Sequence, residues 1–226
     1  MIHAINFATD GSGGTKNLTD RRKWQNDKLR EFSSIGTITS FIPDDIPAVF
    51  KSVYSGILST PRGAGYWWWK PYFILRKLNE IPVGDYVIYV DADLAINGDP
   101  NDVVHETDYN QGISVIDNAT SSYKYTKRDC FIMMGVDTEE YHNSPQSWAA
   151  IVAVKHNPFS VNFITEWLMC CCNKHLIDDS PSVMGDELSG FEQHRWDQSI
   201  LSILLKKSGI TMLPNSRDSI FAHPPW

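Results

Sequence analysis

The stretch "GDYVIYVDADLAING", residues 84–98, decides how the rest of the chain is read. Tyr86 to Val90 is an unbroken run of β-branched and aromatic residues, the composition of a strand buried on both faces. The run leads into Asp91 and Asp93, separated by Ala92. In extended chain, residues two apart share a face, so a strand continued through position 93 projects both carboxylates together. Two such carboxylates repel, and one takes up a proton unless a cation lies between them. Oxygen donors suit Mg2+ or Mn2+, and a cation held by two side chains keeps open positions that diphosphate oxygens can fill. The plainer reading is a polar strand end or a helix cap, because Asp-x-Asp recurs by chance. Context favours the cation: an apolar strand precedes the acids, in mid-chain, between helical segments. In parallel α/β sheets, ligands bind beyond the carboxyl ends of the strands.

Outward from that centre, strands and helices alternate. Upstream, "KPYFILRKLNEI" (70–81) has a helical rhythm with Pro71 in its first turn. "HAINFAT" (3–9), ended by "DGSGGT", reads as a strand and a glycine-rich loop. A helix is expected over 19–33, with Thr19 as N-cap and Gly36 past its end, and "TITSFIP" (37–43) as the second strand. Pro43 and Pro47 punctuate the loop that follows. Downstream, "DPNDVVHET" predicts a short helix, "GISVI" a strand, "TKRDCFIMMG" a helix and "WAAIVAVKH" (148–156) a strand. A long helix is expected over 158–176, another over 194–209, and a last strand at "ITMLP" (210–214). This order predicts an α/β protein: one domain over 1–226, with a mainly parallel central sheet flanked by helices. The irregular stretch 178–193 is expected to be a mobile surface loop.

Composition excludes several classes. The 226 residues are 42% apolar and 21% charged, ordinary for a soluble globular domain. A net charge of −7 with no basic run argues against a nucleic-acid partner. No apolar stretch approaches the roughly 20 residues that span a bilayer, so no integral membrane segment is expected. "MIHAINFATDG" has no basic leader and reads as a first strand rather than a signal peptide. Cys130 stands apart, and Cys170, Cys171 and Cys172 are adjacent on a helix and face different ways. They form neither a disulfide framework nor a metal spacing, which predicts reduced thiols and a cytoplasmic location. Eight tryptophans within 12% aromatic content suit core packing, or stacking on the C–H faces of sugars.

"YVDAD", preceded by "WKPYFILRKL" and followed far downstream by "HRWDQSILSILL", resembles the GT-A (Rossmann-like) nucleotide-sugar glycosyltransferases along nearly the whole chain. The likeness is to small glycosyltransferase domains of bacteria and large DNA viruses, including the chlorovirus capsid-glycan type. It extends more distantly to the retaining glycogenin and lipooligosaccharide galactosyltransferase group. The acid pair of haloacid-dehalogenase-type phosphatases is a poorer match. That pair follows the first strand and has Thr or Val where this chain has Ala95.

The resemblance implies metal-dependent transfer of a sugar from a nucleotide-diphosphate donor, a UDP-sugar, to a hydroxyl of a glycan or glycoprotein acceptor. It implies retention at the anomeric carbon, and a setting in a bacterial cell or a virus-infected host cell. Residues 1–115 would form the nucleotide-binding half and 116–226 the acceptor half. Asp91 and Asp93, with Ala92 between them, would hold Mn2+ or Mg2+ against the donor phosphates. His223 in "FAHPPW" would complete the metal shell, although this tail lacks the glycine and lysine of the group's pattern. Ala8, Thr9 and Asp10 would hold base and ribose. In "TPRGAGYWWWKP" (60–71), Arg62 and Lys70 would reach the diphosphate or sugar; otherwise they are surface charges. Trp67, Trp68 and Trp69 cannot all face one side, so at least one belongs to the core.

In "HRWDQSI", Asp197 would accept hydrogen bonds from sugar hydroxyls and Gln198 would sit near the anomeric carbon, with Ser199 in place of the group's second acid. Asp197 also suits a general base in an inverting reaction, or an acid at a helix N-terminus. Gln146 and Asp129 are further candidates for sugar contacts. Closure of 178–193 over the donor would exclude water. Two other functions compete. A sugar nucleotidyltransferase would show a basic glycine-rich signature, of which "DGSGGTKN" is a poor version. A carbohydrate-binding protein would explain the tryptophans but not the paired acids.

Overall fold

A computed structural model describes residues 1–9, 17–215 and 221–222, the last two for their backbone alone. The strands among them are β1 (Ile2–Phe7), β2 (Ile35–Phe41), β3 (Tyr86–Val90), β4 (Ala95–Ile96), β5 (Ile113–Ser121), β6 (Pro145–Lys155) and β7 (Phe221–Ala222). Five of them form the central sheet in the order β2-β1-β3-β6-β5, and β4 pairs with β7 in a small second sheet. β1 lies parallel to both β2 and β3, whereas β6 is antiparallel to β3 and to β5. Four of the five strands therefore run one way, and the reversed β6 makes two of the four pairings antiparallel.

The apolar run of β3 divides by alternation. Val87 and Tyr89 enter one core cluster, and Ile88 and Val90 enter the cluster on the other face. On the first face lie the helices Trp69–Leu78, Pro158–Cys171 and Trp196–Lys207, which bring Phe73, Ile74, Ile164, Trp167, Leu201 and Leu204 against the sheet. On the second face Leu29 of the helix Leu18–Leu29 and Val103 and Val104 of a short helix meet Ile88, Val90 and Ile151. Each such side chain contributes about 1.5–3 kcal/mol by leaving water. The sheet is thus covered on both sides, as an α/β fold requires.

Several boundaries differ from expectation for local reasons. Asn17, in the left-handed region at φ 65°, precedes the first long helix, so Thr19 lies inside its first turn rather than at the cap position. The 158 helix starts as predicted: Pro158 follows Asn157, whose side chain accepts the Ser160 N–H at 2.8 Å. It stops at Cys171, and Asn173 caps a separate turn, Lys174–Ile177. Short helices at 48–53 and 55–58 fill what reads as loop. "ITMLP" supplies only a single bridge, Leu213 to Ile116. All four cysteines are free thiols. No helix among the described residues is long and apolar enough to cross a membrane.

Candidate active site

In the strand order β2-β1-β3, the chain leaves β1 to one side for β2 and returns to the other for β3. A crevice opens at the carboxyl ends of strands wherever the order reverses in this way. Here it is a cleft of about 310 Å3, lined by Phe7, Thr9, Arg62, Trp67, Asp91 and Asp93 among others.

The two acids reach this cleft by a route the strand period does not describe. β3 ends at Val90, and the Asp91 N–H donates to the Ala150 carbonyl of β6 at 2.8 Å. Ala92 and Asp93 form a tight turn closed by the Leu94 N–H on the Asp91 carbonyl at 3.1 Å. The buried Gln25 amide donates to the Asp91 carbonyl at 2.7 Å and the Leu94 carbonyl at 3.0 Å, and accepts from Asn6 at 3.0 Å. A turn pinned by Gln25, rather than a continued strand, brings the carboxylates together. The sequence signal for Gln25 is faint: it is one polar residue among many in this helix, and only its place four before Leu29 puts it on the buried side.

Behind Asp91 lies a charge relay of fixed geometry. Lys70, only 3% exposed, places its ammonium 3.4 Å from Asp91 Oδ1 and 3.5 Å from Asp197 Oδ2. The ammonium also donates to the Ala149 carbonyl at 2.9 Å and lies 5.0 Å from the centre of the Tyr89 ring. The Tyr89 hydroxyl donates to Asp91 Oδ1. Burial pushes the Lys70 pKa down, but Asp197 and Asp91 outweigh it and the net shift is upward. Burial pushes Asp197 up, against the pull of Lys70 and with the help of Asp91, to about 7. Burial likewise raises Asp91, with Lys70 opposing and Asp93 assisting. Asp197 Oδ2 is buried and, beyond the Lys70 ammonium, has no partner among the described residues.

A second cleft of about 220 Å3 shares Trp67 and Asp91 with the first and adds Lys70, Trp196, Asp197 and Gln198. Lys70 lines this second cleft, beside Asp91 and Asp197, and does not line the first. Gln198 is fixed by the Ala149 N–H at 3.3 Å and by donating to Gln146 at 2.8 Å. The partition between the clefts is a ring stack, Trp67 on Trp196 at 4.6 Å, with the Arg62 guanidinium 4.4 Å from the Trp196 ring centre. Its backbone is unusual. Ala64, Tyr66, Trp67 and Trp196 all have positive φ, between 45° and 59°. Such conformations cost about 1–3 kcal/mol each and gather at ligand sites. Trp68 and Trp69 are core residues, and the Trp69 indole donates to the Gly63 carbonyl at 2.9 Å.

The remaining candidates separate cleanly. Ala8 is buried, with its N–H on the Phe41 carbonyl at 3.3 Å. Asp10 and His223 lie outside the described residues. Gln146 is fully buried and bonded to Tyr125 and Gln198, so it supports Gln198 rather than meeting a ligand. Asp129 is fully buried and occupied by the Val183 and Met184 N–H groups at 2.7 and 2.8 Å. Those bonds, with Lys127 on Asp178 at 2.9 Å, tie down the 178–193 stretch, which is irregular as expected but anchored rather than loose.

For a divalent cation, the described residues offer Asp91 and Asp93, and no cluster of three His, Cys, Asp or Glu. Both acids face one cleft, and Asp93 has no hydrogen bond or ion pair among the described residues. Such a donor set fits a hard cation that takes its remaining oxygens from a ligand.

No protein-family model matches the chain, and no curated protein sequence matches it. The fold is similar to that of mouse xyloside xylosyltransferase 1 in its apo form, with a TM-score of 0.51 over 96% of this chain and 85% of that one. Sequence identity there is 10%, so the likeness establishes the fold and nothing finer. A glycosyltransferase involved in glycosylation of the major capsid of PBCV-1 aligns at a TM-score of 0.43, with 8% identity over 74% of this chain and 65% of that one. A Bacillus anthracis protein described as a glucose-1-phosphate thymidylyltransferase, solved with sucrose, aligns at 0.46, with 11% identity over 96% and 87%. Both scores are too low to carry an argument.

Proposed function

We propose that the protein is a glycosyltransferase that moves a sugar from a nucleotide-diphosphate donor, a UDP-sugar, to a hydroxyl of a glycan acceptor. The observation that carries this reading is the pair Asp91 and Asp93 in the cleft at the strand-order reversal, with Asp197 and Gln198 in the adjoining one. The fold shared with a xylosyltransferase supports it by analogy.

The donor nucleotide would lie along Thr9, with its diphosphate at Asp91 and Asp93. Mn2+ or Mg2+, when bound, would be held by these two acids and His223 and would supply positive charge at the diphosphate oxygens. The Arg62 guanidinium, at the rim of the same cleft, offsets charge on the leaving diphosphate as the bond to C1 breaks. Lys70 is a positioning residue: its ammonium holds Asp91 and Asp197 at fixed separation. Asp197 and Gln198 line the second cleft, where their side chains would meet hydroxyls of the sugar. Retention at C1 is favoured by the "DQS" likeness alone.

The test is Mn2+-dependent hydrolysis of a panel of UDP-sugars by the wild type and by an Asp91→Asn, Asp93→Asn double variant of unchanged circular dichroism. Loss of turnover in the variant is expected. Equal turnover, or turnover only of a nucleoside triphosphate with a sugar phosphate, would overturn the proposal.

A further inference from the structure

A third cavity, about 510 Å3, lies outside both clefts and is lined by Asp179, Asp186, Glu187, Phe191 and Gln193 of the irregular segment, together with Lys127 and His194. That segment is held by three buried polar side chains with no part in the proposed transfer. Lys127, 1% exposed, donates to the Asp178 carboxylate at 2.9 Å and to the Asp178 and Ser180 carbonyls at 3.1 and 3.3 Å. Asp129 accepts the Val183 and Met184 N–H groups and bonds His175 Nε2 at 2.6 Å. His194 donates from Nε2 to the Leu176 carbonyl at 2.8 Å, and its other nitrogen accepts the Lys127 N–H at 3.3 Å. Burying charged and polar groups is unfavourable unless each is fully partnered. A plain connection between 177 and 196 needs no such anchoring, whereas a binding wall must be rigid.

The cavity adjoins the second cleft. Asp179 Oδ1 accepts the Trp196 indole N–H at 2.7 Å, and Trp196 lines that cleft. The lining is acidic: Asp179, Asp186 and Glu187 contribute to it, Glu187 also accepting the Arg128 N–H at 2.8 Å, while the Lys127 charge is taken up by Asp178 and the Arg128 charge by Asp137. Carboxylates and the Gln193 amide suit sugar hydroxyls, and the half-buried Phe191 ring suits the C–H face of a pyranose. The same lining repels phosphates, sulfates and uronic acids.

We propose that this third cavity binds the non-reacting portion of an uncharged oligosaccharide acceptor, whose reacting end passes Trp196 into the second cleft. The acceptor role rests on the glycosyl-transfer reading; recognition of the glycan does not. The experiment is a printed array of tri- and tetrasaccharides of glucose, galactose, xylose and mannose, beside galacturonic acid oligomers of equal length. It is probed with the full chain, with Mn2+ and UDP present. Retention on at least one neutral oligosaccharide is expected, weakened tenfold or more by Phe191→Ala and by Gln193→Ala. Asp186→Arg, at an exposed position that leaves the core untouched, is expected to weaken it as much. No neutral retention, preference for the galacturonic acid oligomers, or full retention by all three variants would each overturn the subsite. UDP-sugar hydrolysis by the same wild-type preparation separates the two claims. Hydrolysis without neutral retention overturns the subsite alone. Variant-sensitive retention without hydrolysis supports the subsite and overturns the transfer reading.

Discussion

Lys70 shows how much one buried charge can organise. Its ammonium meets Asp91, Asp197 and the Ala149 carbonyl, so three separate segments converge on one nitrogen. Lys70→Met leaves the fully buried Asp197 and the partly buried Asp91 without their counter-ion. Removing one partner of a buried pair costs about 3–5 kcal/mol. Urea unfolding at pH 8 is expected to show a loss of that order, partly recovered by adding Asp197→Asn. Gly63 makes a second case. It has φ +56°, and a Cβ there would lie 2.2 Å from the Trp67 indole. Gly63→Ala is therefore expected to shift Trp67 off Trp196 and weaken donor binding at least tenfold, read by calorimetry with UDP and Mn2+. At this scale the sequence named the residues with distinctive chemistry: Asp91, Asp93, Arg62, Lys70, Asp197 and Gln198 all line one cleft or the other. It misjudged those whose role depends on surroundings. Gln146 and Asp129 carry the same functional groups as ligand-binding residues, and only their burial among backbone amides shows that they are structural.

At the scale of the element, the start of the helix Trp196–Lys207 carries two opposed titrations. Burial, Lys70 and Asp91 together set the Asp197 carboxyl at about 7, above its ordinary 3.8. The folded protein then holds a proton that the unfolded chain has lost, so this group makes stability fall as pH rises from 3.8 to about 7. His194 is pushed down from 6.5 to about 3 by burial and then by the Lys127 charge. The unfolded chain then binds the extra proton, so this group makes stability rise as pH rises through that range. In the overlap, pH 3.8 to 6.5, the two slopes offset. Asp197→Asn is expected to steepen the gain of stability with pH relative to wild type. His194→Asn is expected to turn the slope downward. Denaturant titrations at several pH values across the overlap read both, and parallel profiles for all three proteins would contradict the assignment. The unbroken apolar run of β3 and the helical period of the three long helices over one sheet face were legible in the sequence. The turns at 48–58 were not, because short helices lack a full amphipathic repeat.

Across the whole molecule, accessibility follows from how the layers close. Cys130 and Cys171 are fully buried, with burial lifting Cys130 to about 12 and Cys171 well above its ordinary value, while Cys170 and Cys172 are half-buried. Iodoacetamide acting on the native protein is expected to modify Cys170 and Cys172 and spare the other two by peptide mass. The α/β architecture was legible because apolar runs alternate with helical patterns. The direction of β6 was not, because an apolar strand reads the same whichever way it runs. That reversed strand governs how the protein can be divided. Asp91 and Lys70 belong to the chain before β5, whereas Ala149 and Asp197 belong to the chain after it. Two polypeptides cut at the 110–112 turn are each expected to lack the proposed transfer activity, and to recover it only when mixed and re-associated through the β3–β6 seam.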